Sequence, residues 1–373
     1  MTMGRIISAG HICLDITPVF RTGQQYSRIG EILVPGKLIE MDAASVHTGG
    51  SVANTGLALK LLGNDVTLLG KVGEDAFGDM VKKILAGYGA GGLITDRESS
   101  TSYSVVLAVP GIDRIFLHNP GANDTFSAAD IPEEALEEAV LFHFGYPPLM
   151  KRMYAEGGRE LAEMFRRVRA AGAATSLDLA AVDASCEAGQ ADWRGILART
   201  QPEVDLFEPS FEELCFMLDW PRYEELAATG GDMTERAEIL PDADRLAVQC
   251  LEMGCGAVLV KCGLCGMVYR TGTAERLSRF GARLRPDPAN WADRAGRQPC
   301  FRAETVRSAT GAGDVSIAAW LTALLRGEDP AACARLAAAE GAASVSGYDA
   351  LGGILPLEEL AGRIENGSMT EAE

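Results

Sequence analysis

From Ala139 onward the chain alternates short β-rich runs with longer helical ones. Ala139–Phe144 is followed by Arg159–Ala171, Thr175–Leu179 by Trp193–Thr200, and Asp205–Glu208 by Phe211–Leu218. A further helix, Asp242–Met253, leads into strands Gly256–Lys261 and Met267–Tyr269, and helices Ser316–Leu325, Ala331–Ser346 and Leu357–Ile364 close the pattern. Parallel neighbours need a crossover of a dozen or more residues, usually a helix, and this order supplies one between successive strands as far as Gly256–Lys261. It predicts an α/β fold: a three-layer α/β/α sandwich around a central, mostly parallel sheet.

The first third is less regular. Arg5–Ala9 and Val66–Leu69 read as strands, and Phe77–Leu85 as a helix. Gly49-Gly50-Ser51 opens a helix over Val52–Leu62, with Gly63 as its C-cap. Ile32–Val34 and Lys37–Met41 flank the turn dipeptide Pro35-Gly36 and read as a hairpin; Ser102–Val109 and Arg114–His118 are further strands. These pieces predict a small β-strand lid from about residues 18–48 and parts of 101–118, inserted in one domain over 1–366. Phe280–Pro299 has no period and reads as a long surface loop, and 367–373 as a flexible tail.

Charge narrows the partners. The 373 residues carry 34 Lys+Arg against 52 Asp+Glu, a net charge of −18. That argues against nucleic acid and anionic membranes as partners, while a local nest of backbone N–H groups can still hold a small phosphate. No apolar run reaches the length of a membrane span. The N-terminus has no signal-peptide pattern, and nine irregularly spaced cysteines fit a reducing cytoplasm.

The most informative segment is Ser308-Ala309-Thr310-Gly311-Ala312-Gly313-Asp314 ahead of a strongly helical run. Small residues let backbone approach a ligand, and the helix N-terminus offers unpaired N–H donors with a partial positive charge. Asp314 is then either a helix cap or a base beside an anion hole. Glu208-Pro209-Ser210-Phe211-Glu212-Glu213 carries a second acidic site, with Ser210 and Glu213 equally readable as a capping box. Val258–Lys261 ends in the glycine turn Cys262–Gly266, where Lys261 either meets a phosphate or is a solvated strand end. Asp15, after the first strand, is a hydroxyl-binding carboxylate or a turn residue.

Thr310-Gly311-Ala312-Gly313-Asp314 resembles the C-terminal signature of the ribokinase/PfkB family of carbohydrate kinases. Gly49-Gly50-Ser51-Val52-Ala53-Asn54 resembles its N-terminal Gly-Gly-x-x-x-Asn signature, about 260 residues earlier and in the family's order. Pro120-Gly121-Ala122-Asn123 is also similar to a ribokinase segment. The resemblance implies a ribokinase-like fold and transfer of the γ-phosphoryl group of ATP, with Mg2+, to a hydroxyl of a small sugar. It makes Asp314 the base and the amides of Gly311, Ala312 and Gly313 the anion hole. It implies sugar contacts from Asp15, Gly49, Gly50, Asn54 and Asn123, with His118 on the lid side. Nucleotide contacts fall to Ser210, Lys261, Gly263, Gly266 and Thr310, and magnesium to Glu213. Family members often dimerise through the lid, which makes a homodimer an expectation.

Three departures qualify the carry-over. Ser210 stands where the family has Asn. Ser308-Ala309 replaces an Asp-Thr whose Asp often belongs to a monovalent-cation site, so potassium activation does not carry over. Ala338 occupies a position where many members have Asn near the adenine. Two alternatives stay open: a nucleoside kinase of the same fold, and a catalytically silent sugar-binding or regulatory protein.

Other patterns carry less. Gly87-Tyr88-Gly89-Ala90-Gly91-Gly92 matches G-x-G-x-x-G but follows a helix rather than a strand, so it reads as a helix exit. There is no Walker loop. Cys262-x-x-Cys265 falls on the glycine turn, and Cys250 and Cys255 are too loosely spaced to complete a zinc site. His11, His47, His118 and His143 are too scattered for a metal or triad assignment.

Overall fold

The computed structural model describes residues 4–21, 25–112, 114–347 and 349–372. Its strands, in chain order, are β1 (Arg5–Gly10), β2 (Cys13–Phe20), β3 (Met41–Gly49), β4 (Val66–Leu69), β5 (Lys71–Gly73), β6 (Ile94–Asp96), β7 (Tyr103–Leu107), β8 (Ile115–Asn119), β9 (Ala139–Gly145), β10 (Ala174–Asp178), β11 (Leu206–Phe207), β12 (Ala257–Lys261), β13 (Met267–Thr271) and β14 (Ala295–Gln298). Eight of them form the central sheet in the order β14-β13-β12-β11-β10-β9-β1-β4. The pairings from β4 to β12 are parallel, and β13 and β14 complete that edge antiparallel. The α/β expectation holds.

Side-chain alternation explains why these strands read as unbroken apolar runs. Ile6 packs into one helical layer and Ile7 into the other; Leu141 and Phe142, and Val258 and Leu259, divide in the same way. Both faces are covered, so both side-chain registers are apolar. One layer holds the helix Ala312–Leu325, buried from residue 314 to 324. A helix apolar all round belongs inside a fold. It packs between the helices Ser51–Leu61 and Pro330–Ser344. The other layer includes Arg159–Ala170, which buries Leu161, Met164, Phe165 and Val168 along one stripe.

The lid is a separate four-stranded sheet, β3-β2-β7-β8. It occupies the expected region, but its strands differ from the expected ones. Residues 32–40 form no strand; a short 3-10 turn covers Ile29–Glu31, and Leu38 is largely exposed. The long strand β3 instead pairs antiparallel with β2. Pro18 hides β2 in the sequence, and the structure places it at a register shift between Thr17 and Val19. A bulge is where a strand tolerates proline. Residues 22–24, inside the expected lid, lie outside the described residues.

Two further expectations need correction. The stretch 280–299 is not a surface loop. It contributes the edge strand β14, a short helix Pro288–Trp291, and the core residues Phe280 and Trp291. Its polar residues misled the reading because β14 (Ala-Gly-Arg-Gln) carries no apolar alternation and holds by its backbone pairing to β13. The expected tail is tied down as far as residue 372: Arg302 N donates to Thr370 O at 2.9 Å, and Ala372 N to Cys300 O at 2.7 Å. An unpaired main chain beside it supplied the partner that composition could not reveal. Residue 373 lies outside the described residues.

Glu340 is buried in the helix Pro330–Ser344, and its Oε1 accepts from Leu355 N at 2.8 Å while Oε2 has no partner among the described residues. Burial raises its pKa from 4.5 to about 8. A carboxyl with a raised folded pKa gives stability below its unfolded pKa and loses it as pH rises through the folded one. That window here runs from 4.5 to about 8. Between pH 5 and pH 8 the loss is roughly 3 kcal/mol. Glu340→Gln should therefore gain about that much on the wild type over the same interval, read from urea unfolding at both pH values; an equal gap at both would refute the assignment.

Candidate active site

The carboxyl ends of the parallel strands converge on one edge of the sheet. Tyr146 follows β9, Asp178 ends β10, Ser210 follows β11 and Lys261 ends β12. Open α/β sheets bind ligands at this edge. The helix Ala312–Leu325 points its N-terminus there, after Gly311 at φ +79°. Only glycine takes that conformation without strain, and Ala350 would collide with any added Cβ.

The turn leaves donors free. Ala312 N is committed to Ala309 O at 3.3 Å, so the expected three-amide hole is reduced by one. The amides of Gly311 and Gly313 have no acceptor among the described residues. A tight turn at residue 309 consumes the middle amide, which the sequence could not reveal. Thr310 also differs from expectation. It does not line the cavity; its hydroxyl is engaged by Arg114 at the root of β8, which reaches Ser308 Oγ at 3.4 Å as well.

Asp314 is 4% exposed and held by three donors. Thr55 Oγ1 donates to Oδ1 at 2.8 Å, Asn54 Nδ2 to Oδ2 at 3.1 Å, and Tyr146 OH to Oδ2 at 2.7 Å. Thus the two signature segments meet through Asn54 and Asp314. Burial, reinforced by Asp314 and Asp178, raises the Tyr146 phenol well above its usual range, so it donates as a neutral hydroxyl.

Beside the turn, Lys261 Nζ donates to Asp178 Oδ1 at 2.7 Å; Asp178 is buried and the Lys261 side chain is 12% exposed. Lys261 is therefore not a solvated strand end. Burial opposes its charge, but Asp178, Glu213 and Asp314 outweigh it and lift its pKa. Burial lifts the Asp178 carboxyl, with the Lys261 ammonium opposing. Behind them, Ser176 Oγ donates to Glu208 Oε2 at 3.0 Å and meets His143 Nδ1 at 2.7 Å. Burial holds His143 neutral, with its pKa near 3, and raises Glu208.

Ser210 and Glu213 form a capping box: Ser210 N donates to Glu213 Oε2 at 2.8 Å, and Glu213 N to Ser210 Oγ at 3.2 Å. The Ser210 hydroxyl accepts in this cap and keeps its own proton to donate, while Glu213 Oε1 has no partner among the described residues. Both residues line a cavity of about 1230 Å3, shared with Lys261, Gly263, Gly266 and residues 311–314. Part of its wall is apolar, with Phe301, Val306, Ala338, Ala342 and Val345. Ala338 thus lies on the cavity wall, and β14 and its exit reach it through Arg297, Gln298 and Pro299.

The lid-side residues sit apart from that cavity. Asp15 accepts from the Cys13 thiol at 3.3 Å, and burial raises its carboxyl. Gly49 abuts it so closely that a Cβ would overlap the carboxylate. Gly50 is the N-cap of the Ser51–Leu61 helix, packed on His11. The His118 ring lies 5.2 Å from that of His11. Asn123 has both ends of its side-chain amide committed to the main chain. It is fully buried, accepting from Ile12 N at 3.1 Å and donating to Ile12 O at 2.9 Å. A lone Asn reads alike as a ligand contact or a backbone clamp, and here the two-residue link between β1 and β2 claims it. Sequence reasoning missed Thr55, Tyr146 and Asp178; the last two were findable as the residues at carboxyl ends of expected strands.

A family model described as "pfkB family carbohydrate kinase" matches residues 11–355. The chain belongs to that family. Among curated relatives, it is 30% identical over 152 residues to fructokinase-1 of Zea mays, covering 39% of this chain and 43% of that protein. It is 28% identical over 149 residues to a fructokinase of Solanum tuberosum, again spanning 43% of the relative's length. Among solved structures, a putative ribokinase II from E. coli superposes with a TM-score of 0.70 at 20% identity, covering 97% of this chain and 99% of that one. A fructokinase with bound ATP from Xylella fastidiosa superposes at 0.69 and 20% identity, covering 99% and 100%. At these identities the structures establish the ribokinase-like fold of this pfkB family member.

Proposed function

We propose that this protein transfers the γ-phosphoryl group of ATP to a hydroxyl of a small sugar, with Asp314 as the base. The observation that carries the reading is the placement of the Asp314 carboxylate on the first turn of a helix whose Gly311 and Gly313 amides are unspent. A carboxylate there orients an alcohol and takes its proton, while the amides stabilise charge on the transferring group. The two glycine amides replace the three expected. Fructokinases and an ATP-bound ribokinase-fold enzyme among the relatives support this reading.

The donors and volume of the cavity support ATP as its occupant. Lys261 and the turn lie at one end for the phosphates, with the turn Gly263–Gly266 beside them, and an apolar wall suits a flat base. Magnesium keeps few protein ligands and completes its shell with phosphate oxygens and water. Glu213, with one oxygen uncommitted beside the cavity, fits that requirement. Bound there, the metal would neutralise phosphate charge. On the sugar side, Asp15 and the Gly49-Gly50 backbone offer acceptor and donors for hydroxyls, and Asn54 orients the base rather than the sugar alone. We read residues 1–366 as one kinase domain with an inserted lid, pairing with a second copy through that lid. Nine free cysteines agree with a reducing cytoplasm.

The experiment is ADP release across a panel of free sugars, fructose and ribose included, and nucleosides. At least one free sugar should stimulate release far above the sugar-free rate. Stimulation by nucleosides alone would replace the sugar, and no stimulation with sugar binding intact would make the protein a silent binder.

A further inference from the structure

We infer that Tyr146 is a stand-in for the acceptor: its hydroxyl occupies the place on Asp314 that the sugar hydroxyl takes, and it shields the base until the sugar arrives. The inference rests on the kinase reading above and adds to it a residue no motif marks.

Three donors hold Asp314, and they are not equivalent. Asn54 and Thr55 reach it from the buried helix Ser51–Leu61 and do not line the cavity. Tyr146 does line it, beside Asp314 and Asp178. The cavity-facing hydrogen bond of the base is therefore filled by a phenol at 2.7 Å. Of the roughly four lone-pair directions of a carboxylate, Asn54 and Thr55 use two from behind and Tyr146 a third, so an alcohol that presents its proton to Oδ2 from the cavity must displace the phenol.

The position also divides the site. The cavity is lined by nucleotide-side elements, and none of Asp15, Gly49, Gly50 or His118 borders it. On the opposite side the Tyr146 ring faces His11 at 6.2 Å, and His11 faces His118 of the lid. Tyr146 thus stands as the partition between the lid-side residues and the phosphate turn. Its backbone supports a distinct role. Tyr146 has φ +67° and ψ +42°, a left-handed conformation that non-glycine residues adopt rarely and that clusters at ligand sites. Pro147 and Pro148 follow it and restrict the chain beyond.

The consequence is control of a side reaction. Without a sugar, water could give its proton to Asp314 as its oxygen bonds to the γ-phosphorus, while the bond to the β–γ bridging oxygen breaks and ADP leaves. The Tyr146 hydroxyl denies water that proton acceptor. A sugar held under the lid displaces the phenol and presents its own hydroxyl instead, a shift between two arrangements of one side chain.

The test compares ADP release without and with the best sugar of the panel. Tyr146→Phe keeps the ring and removes the hydroxyl. The ratio of sugar-free to sugar-stimulated release should rise about fivefold or more. Thr55→Val, which removes a donor from the buried side, should lower both rates together and leave the ratio unchanged. A Tyr146→Phe ratio within twofold of wild type overturns the inference and leaves the kinase reading intact. A wild type that no compound on the panel stimulates removes the kinase reading and the inference with it. Tyr146→Met serves the same comparison if the phenylalanine variant does not fold.

Discussion

Asp314→Asn should lower the turnover number for sugar phosphorylation by about a hundred- to ten-thousandfold, the span for loss of a positioned base. The fold should survive, because the site can accept the change. Asn54 and Tyr146 both donate to Oδ2, so the new amide oxygen can face them. The amide nitrogen then faces Thr55 Oγ1, a hydroxyl that can turn and accept. The amides of Gly311 and Gly313 stay in place. ATP affinity, followed by calorimetry, should therefore change by no more than about threefold, since charge in the first helical turn is worth about a kcal/mol or less. Turnover within tenfold of wild type would remove Asp314 from the chemistry. Loss of ATP binding together with turnover would make it a structural residue.

Lys261→Met should cost about 3–5 kcal/mol of stability at neutral pH, because it leaves Asp178 buried without its partner. Part of that cost is escaped by protonation: burial already raises the Asp178 carboxyl, and removing the ammonium frees it to rise further. The variant should accordingly recover stability as pH falls, since protonating Asp178 removes the isolated charge. The double variant Asp178→Asn/Lys261→Met removes both charges and should regain most of the loss. It should not regain tight ATP binding if Lys261 is the cation proposed for the phosphates. Urea unfolding gives the first two results and an ATP titration the third. A single variant as stable as wild type would mean that the pair is not held as described; unchanged ATP affinity in the double variant would end the phosphate role of Lys261.

Most of the architecture could be read from the chain because its strands announce themselves. Runs such as Ala257–Lys261, covered on both faces, are apolar at nearly every position, and their helices end at glycines or begin at caps. What escaped had a local signal opposed to its tertiary state. Pro18 disguised β2, and Ala295–Gln298 carried no apolar pattern for β14. The helix Trp220–Ala228 was unread, although Asp219 caps it and a proline sits in its first turn. The site divides likewise. Asp314, Asn54 and the glycines lie in contiguous motifs, while Tyr146, Asp178 and Thr55 have roles created by meeting partners from distant segments. Asn123 and Thr310 were assigned to ligands by position, and the fold had already claimed their polar atoms for Ile12 and Arg114.

The bonds from Asn54 and Thr55 to Asp314 join residues 260 and 259 positions apart. A ribosome adding about 5–20 residues each second needs roughly 13–50 seconds to bridge that gap. The early helix must wait that long for the late one that covers it, with its small apolar face open to chaperones or to neighbouring chains. Until Asp314 is made, the Asn54 and Thr55 side chains have no carboxylate to receive their hydrogen bonds. Ribosomal pausing between these two segments would prolong the vulnerable interval.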